Sequence, residues 1–175
     1  KKLSFASILK DIVAIIFDWN RKMLEGNTKE SRKWREQEDE WWSQKLGILN
    51  LTPRYILQYI GTDLFRNHFN DQIWISCVER QLTKYHNIVI TDCRFPNEIQ
   101  AIKNAGGIVI RVTRGPEPEW FNLAEIVNRG PEDYQWRLSK NALEKYKIHA
   151  SETAWVGSTI DHIVDNDGTI DDLFT

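Results

Sequence analysis

Cysteine is scarce in this sequence, an excess of either charge is missing, and no apolar stretch is long. Two cysteines among 175 residues, Cys77 and Cys93, cannot build a disulfide framework, and neither stands in a metal-ligand spacing. Reduced thiols are expected. The 23 Lys and Arg nearly balance the 25 Asp and Glu, for a net charge of −2. This removes any general attraction to nucleic acid, and an anion bound here has to be gripped by local groups. No apolar run approaches membrane-spanning length, and Lys1-Lys2-Leu3-Ser4 does not lead into a secretion-type cleavage pattern, so a soluble, cytoplasmic protein is expected. Internal repeats and low-complexity segments are absent as well. The length suits a single domain, 1–175, with a substantial core and room for a flap. Against these absences stand eight tryptophans.

The chain is organised around Asn87-Ile-Val-Ile-Thr-Asp92-Cys-Arg94-Phe-Pro-Asn-Glu98. Ile88-Val89-Ile90 does not alternate with polar residues, which predicts a strand covered on both faces, as in parallel sheets. Asp92 and Arg94 would stand at its carboxyl end, the edge where open α/β sheets bind ligands. Pro96 suits a first helical turn, Ile99 and Ile102 repeat at helical spacing, and Asn104-Ala-Gly106-Gly107 is a stop. Ile108 to Val112 then reads as a second, parallel strand that places Arg114 on the same edge. A carboxylate among guanidinium groups suits a metal-bound phosphate; it equally suits a surface ion pair, and from this stretch both readings stand.

Elsewhere, Lys2 to Phe5 predicts a short strand, and Ala6 to Phe17 a helix that Ser7 could cap and that carries Lys10 near its start. Asn20 to Lys33 reads as a loop. Trp34 to Leu46 reads as one helix with Trp34, Trp41 and Trp42 on a single face, as core or subunit-contact anchors, which makes a homodimer an expectation. Thr52-Pro53 starts a further helix, and Gly61-Thr62-Asp63 is expected to interrupt it. Asp71 to Tyr85 is a helix, and helices are plausible over 121–127 and 134–146. Residues 160–164 read as a last strand, Asn166-Asp167-Gly168 as a turn, and 169–175 as the start of a terminal helix. A metal-dependent nuclease built on Asp92 and Glu98 has little support: a proline turn separates the two carboxylates, and no basic surface invites DNA.

Thr52-Pro-Arg54, Gln58, Gly61-Thr62-Asp63, Asp92-x-Arg94-Phe-Pro-Asn-Glu98, Gly106-Gly107, Arg114, His149-x-Ser-Glu152 and Asn166-Asp-Gly168 occur in one order. Together they resemble the deoxynucleoside monophosphate kinases of phages and viruses, a branch of the P-loop nucleoside monophosphate kinase fold. The resemblance implies an α/β fold, a three-layer parallel sheet flanked by helices, with a substrate-side flap over about 20–47 and a lid-like insertion over about 115–148. It implies transfer of the γ-phosphoryl group of ATP to a deoxynucleoside 5′-monophosphate, with Mg2+. Lys10, Arg32, Arg54, Gln58 and Thr62 would hold the monophosphate, with Trp74 packing beside them. Asp92 would serve the metal, Arg94 and Arg114 the charge of the transferring group, and Asn166 and Gly168 would lie near the adenine. Family members begin with a strand and a Walker-type loop, whereas these 175 residues hold no G-x-x-x-x-G-K-S/T, and Lys1-Lys-Leu-Ser-Phe corresponds to the family's second strand. The expectation is that a piece carrying the loop is missing and that the chain alone is a poor kinase with an unpaired sheet edge. The alternative is a non-catalytic nucleotide-binding or protein-interaction relative.

Overall fold

The computed structural model describes residues 1–172, so the end of the helix expected over 169–175 lies outside the described residues. The chain divides into two compact units, Lys1–Cys93 and Arg94–Thr175.

In the first unit, β1 (Lys2–Leu3) pairs in parallel with β2 (Val89–Ile90), Leu3 opposite Ile90. Helix α1 (Ser7–Phe17) follows β1 and buries Leu9, Val13 and Phe17 along one stripe. Ser7 does not cap it; no side chain of the helix start does. The segment expected as a loop instead forms α2 (Arg21–Glu25), capped by Asn20, and α3 (Lys29–Arg35), where Thr28 and Ser31 cap each other. Nor is 34–46 one helix. Asp39 accepts a hydrogen bond from Trp42 N and starts α4 (Glu40–Leu46) anew, so the tryptophans separate. Trp42 meets Phe17 edge-on at 4.8 Å and donates to its carbonyl at 3.1 Å, Trp34 lies 6.0 Å from Trp19, and Trp41 is exposed.

Helix α5 (Pro53–Gln58), capped by Thr52, does not stop at Gly61 but widens into a π-helix over Tyr59–Phe69. Such helices are rare and carry i→i+5 bonds. A Cβ on Gly61 would come within 2.6 Å of Leu9 Cδ2 on α1, so a larger residue there would have to displace that buried side chain. Trp74, buried on α6 (Ile73–Leu82), donates its indole N–H to the Gly61 carbonyl at 2.9 Å. The expected interruption is thus a change of helical pitch stabilised from outside, not a break.

In the second unit, Pro96 opens α7 (Pro96–Asn104), whose Glu98 is 2% exposed and accepts from Arg94 N at 2.7 Å and Phe95 N at 3.2 Å. β3 (Ile110–Thr113) pairs in parallel with β4 (His162–Asp165), Arg111 opposite Ile163. Asp161 fastens the start of this pair, accepting from Val109 N and Lys103 Nζ, both at 2.7 Å. Between the strands, α8 (Phe121–Arg129) packs on α9 (Tyr134–Glu144), and α10 (Ala150–Thr153) follows. The Arg111 guanidinium stacks over Phe121 and Trp155, at 4.7 and 4.9 Å from their centroids.

The result is a mixed helix and strand fold with short parallel strands, compatible with a kinase-like α/β architecture. Among the described residues the strands form two two-stranded sheets, β1 with β2 and β3 with β4, where one three-layer sheet was expected. Strands of two to four residues offer too few ladder bonds to build more. The two-faced burial expected from the apolar runs also differs: Val89, Ile110, Val112 and Ile163 are all exposed. No helix among the described residues is long and apolar enough to cross a membrane.

Candidate active site

The β1–α1 connection folds onto Asp92, just past β2. Ser4 Oγ donates to Asp92 Oδ2 at 2.5 Å, Ala6 N to the same oxygen at 2.9 Å, and Phe5 N to Oδ1 at 3.0 Å. These groups lie in the connection just ahead of α1, and a carboxylate that follows a strand distant in sequence holds them together. Asp92 therefore anchors the segment that leads into α1.

Lys10 is not solvated: only 13% of its side chain is exposed, and its ammonium lies 2.7 Å from Glu25 Oε2. Arg21 joins the same carboxylate, at 2.5 Å to Oε1, and reaches Asp11 at 2.5 Å. Burial pushes the Glu25 carboxyl upward, but the hydrogen bonds and charges of Lys10 and Arg21 outweigh it and hold Glu25 below the usual carboxylate range. Burial likewise opposes the Arg21 charge, and Asp11 and Glu25 more than restore it, raising the guanidinium further. Glu25 and Arg21 were not foreseen as site residues. They sit on a five-residue helix inside a polar stretch with no apolar period to announce it. Beside this network a cavity of about 450 Å³ is lined by Lys2, Ser4, Ser7, Glu25, Asn27 and Gln81 among others.

The remaining substrate-side candidates occupy neighbouring helices. Arg54, Gln58 and Thr62 recur every fourth residue along α5 and its π-helical continuation, and α5 packs against both α1 and α3. Arg54 pairs with Glu36 at 3.0 Å across a half-exposed surface, while Gln58 and Thr62 are half-buried. Trp74 is a packing residue for the π-helical turn that carries Thr62. Arg32 lies exposed on α3. The helices of Lys10, Arg32, Arg54, Gln58 and Thr62 are brought together, yet none of these five side chains lines the cavity.

In the second unit, Arg94 Nη1 donates to Glu152 Oε1 at 2.5 Å. Arg114 follows β3 and is exposed. It is bracketed by contacts to the Asn166-Asp167-Gly168 turn: Asn166 N donates to the Thr113 carbonyl at 3.0 Å, and Gly115 N donates to Asp167 Oδ1. Parallel pairing of β3 and β4 puts both strand ends, and hence Arg114 and this turn, at one edge. The strand register explains why Arg114 and this turn, far apart in the chain, lie at one edge.

The 175 residues also bear comparison with known proteins. The sequence profile of the family Deoxynucleotide monophosphate kinase matches residues 11–122, well over half of the chain. The chain belongs to this family. A protein of Acanthamoeba polyphaga mimivirus, provisionally named a deoxynucleotide monophosphate kinase, is 28% identical over 153 residues, which cover 79% of this chain and 74% of that protein. The deoxynucleoside-5′-monophosphate kinase of Escherichia phage T5 is 39% identical over 57 residues, covering 31% of this chain and 23% of the phage enzyme. Both are viral proteins, and the family is one of kinases, which are transferases.

Kinases of nucleotides commonly use Mg2+, and the donors near Asp92 bear on whether this site could take it. Among the described residues no three His, Cys, Asp or Glu side chains gather into a cation site. Mg2+ needs few protein ligands, since phosphate oxygens and water complete its octahedron. Asp92 Oδ2 already accepts two hydrogen bonds and Oδ1 one, and a carboxylate offers about four acceptor sites. One position on Oδ1 stays open. That fits Mg2+ held from Oδ1, directly or through a water, and does not fit a bidentate grip.

Proposed function

We propose that the protein transfers the γ-phosphoryl group of ATP to a deoxynucleoside 5′-monophosphate, as part of viral nucleotide supply. The observation that carries this reading is the contrast between the start of α1, where Asp92 holds Ser4, Phe5 and Ala6 in place, and the exposed, charged Arg94 and Arg114 that follow strand ends. Phosphoryl transfer asks for placement and charge neutralisation and for little covalent help. The bond between the γ-phosphorus and the β,γ-bridging oxygen breaks, and one forms to an oxygen of the monophosphate. ADP leaves with the electron pair.

In this reading Lys10, Arg32 and Arg54 hold the phosphate of the monophosphate, with Gln58 and Thr62 contributing polar contacts and Trp74 fixing the turn beneath them. Lys10 then has to share its charge between Glu25 and the substrate. Arg94 and Arg114 face the charge that spreads over the equatorial oxygens, and Arg forks suit that geometry. Asn166 and Gly168 lie by the adenine. Asp92 would hold Mg2+ from Oδ1, and the ion would supply positive charge to offset that of the phosphates. Residues 20–47 act as a substrate-side flap and 115–148 as a lid.

The test is dNDP formation from each of the four dNMPs with ATP and Mg2+, by the chain together with whatever its gene encodes upstream of Lys1. Product above a control without protein is expected with at least one dNMP. No product with any of them supports instead the non-catalytic relative, which the absence of a G-x-x-x-x-G-K-S/T motif from these 175 residues favours.

A further inference from the structure

The His149-x-Ser-Glu152 motif has no part in the mechanism above, yet its glutamate touches a reaction arginine. We infer that Glu152 is a positioning residue for Arg94, holding one edge of the guanidinium so that the other is presented to the phosphoryl group in transfer. This rests on Arg94 being the charge-neutralising arginine.

Two anchors act on Arg94. Its main chain is fixed by the buried Glu98, which accepts its N–H at 2.7 Å and that of Phe95 at 3.2 Å. Its side chain is engaged through Nη1 by Glu152 Oε1 at 2.5 Å. Glu152 is itself set on α10, where His149 Nδ1 accepts from Ser151 N at 3.2 Å and lies 2.9 Å from Ser151 Oγ. The motif thus sets a carboxylate against Arg94.

Stability does not account for this pair. Its side chains are 48% and 35% exposed, and half-exposed pairs contribute about 0–1 kcal/mol. What a single contact does supply is direction. An arginine stem has several rotatable bonds, while its fork carries five donors in a fixed plane. Tying Nη1 leaves Nη2 and Nε on the far edge, spaced for two oxygens of one phosphate. Placement errors of about 1 Å at a reacting centre can cost on the order of 100-fold in rate.

The test is a double-mutant cycle on phosphoryl transfer with Arg94→Ala, Glu152→Ala, both together, and Glu152→Gln, which retains an oxygen acceptor. Glu152→Ala should lower kcat about tenfold with KM for either nucleotide within about twofold, and Glu152→Gln should recover most of the loss. In the Arg94→Ala background the same change should cost less than about twofold. The Arg94 Nε–H resonance, recognised by its loss in Arg94→Ala, should shift in Glu152→Ala and shift less in Glu152→Gln. Equal losses in both backgrounds, a rise in kcat, or an unmoved resonance overturns the role of Glu152 alone. All variants carry whatever the gene encodes upstream of Lys1; full turnover by Arg94→Ala, or none by the parent in that form, overturns the reading of Arg94 and this inference with it.

Discussion

The two units treat their charges differently. Among the described residues, thirteen of the buried hydrophobic side chains belong to Lys1–Cys93 and four to Arg94–Thr175, so the first unit has most of the core. Its site charges are tied inward: Lys10 and Arg21 converge on Glu25, and Asp92 is occupied by three donors. In the second unit Arg94 pairs with Glu152 on the surface, and the backbone on either side of Arg114 is held through Thr113 and Gly115. A site that must recognise a substrate gains from rigid, prepaid electrostatics. Groups that meet charge only while it is being transferred need donors that are still available. The division predicts that damage to the first unit shows in folding and substrate binding, and damage to the second in turnover.

The largest effect expected from that contrast is Arg114→Ala, which should lower kcat about 100-fold or more while shifting the urea midpoint little, because the side chain is exposed. A large loss of stability with normal turnover would invert the division. Next, Gly61→Val should destabilise the first unit by about 1–3 kcal/mol, because its side chain runs into Leu9 where α1 crosses the π-helix. Urea unfolding followed by tryptophan fluorescence reads this directly, and an unchanged midpoint would show that α1 is not seated there.

Ser4→Ala removes one donor to Asp92 without altering the carboxylate, and should cost about 1 kcal/mol and weaken dNMP binding by calorimetry, without changing the Mg2+ requirement. A raised Mg2+ requirement would instead couple this bond to the metal. The smallest effect concerns pH. Glu25 is held below the usual carboxylate range when folded, so the stability it contributes is complete above about pH 5 and is lost as pH falls through its lowered folded value. Glu25→Gln should therefore flatten the acid limb of a stability profile and leave its neutral-to-alkaline shape alone. An acid limb identical to that of the parent would remove Glu25 from the account.

Local signals in the sequence carried most of the helices. α1, α6 and α7 follow from apolar residues at helical spacing, and Thr52-Pro53 starts α5 as its cap chemistry dictates. What stayed hidden depends on partners far along the chain. Asp92 was legible as a strand-end carboxylate, but nothing near Ser4 says that it will hold the connection ahead of α1. Gly61 reads as a breaker by propensity, and tertiary contact with Leu9 and Trp74 turns it into the site of a helical widening. The split of α3 from α4 was missed because tryptophans at i, i+7 and i+8 mimic one stripe, while Asp39 acts as a cap between them. The single sheet was inferred from apolar runs, and those runs were too short to decide which strand pairs with which. Arg54, Gln58 and Thr62 stood out by motif order and Lys10 through the family resemblance, whereas the charge partners of Lys10 and Arg54, Glu25 and Glu36, carry no motif.

The most direct test is a side-by-side assay of dNDP formation by the parent protein and Arg94→Ala, with urea unfolding of both. The account predicts turnover by the parent, a loss of about 100-fold or more in the variant, and closely matching unfolding curves. Equal turnover by the two proteins would contradict it.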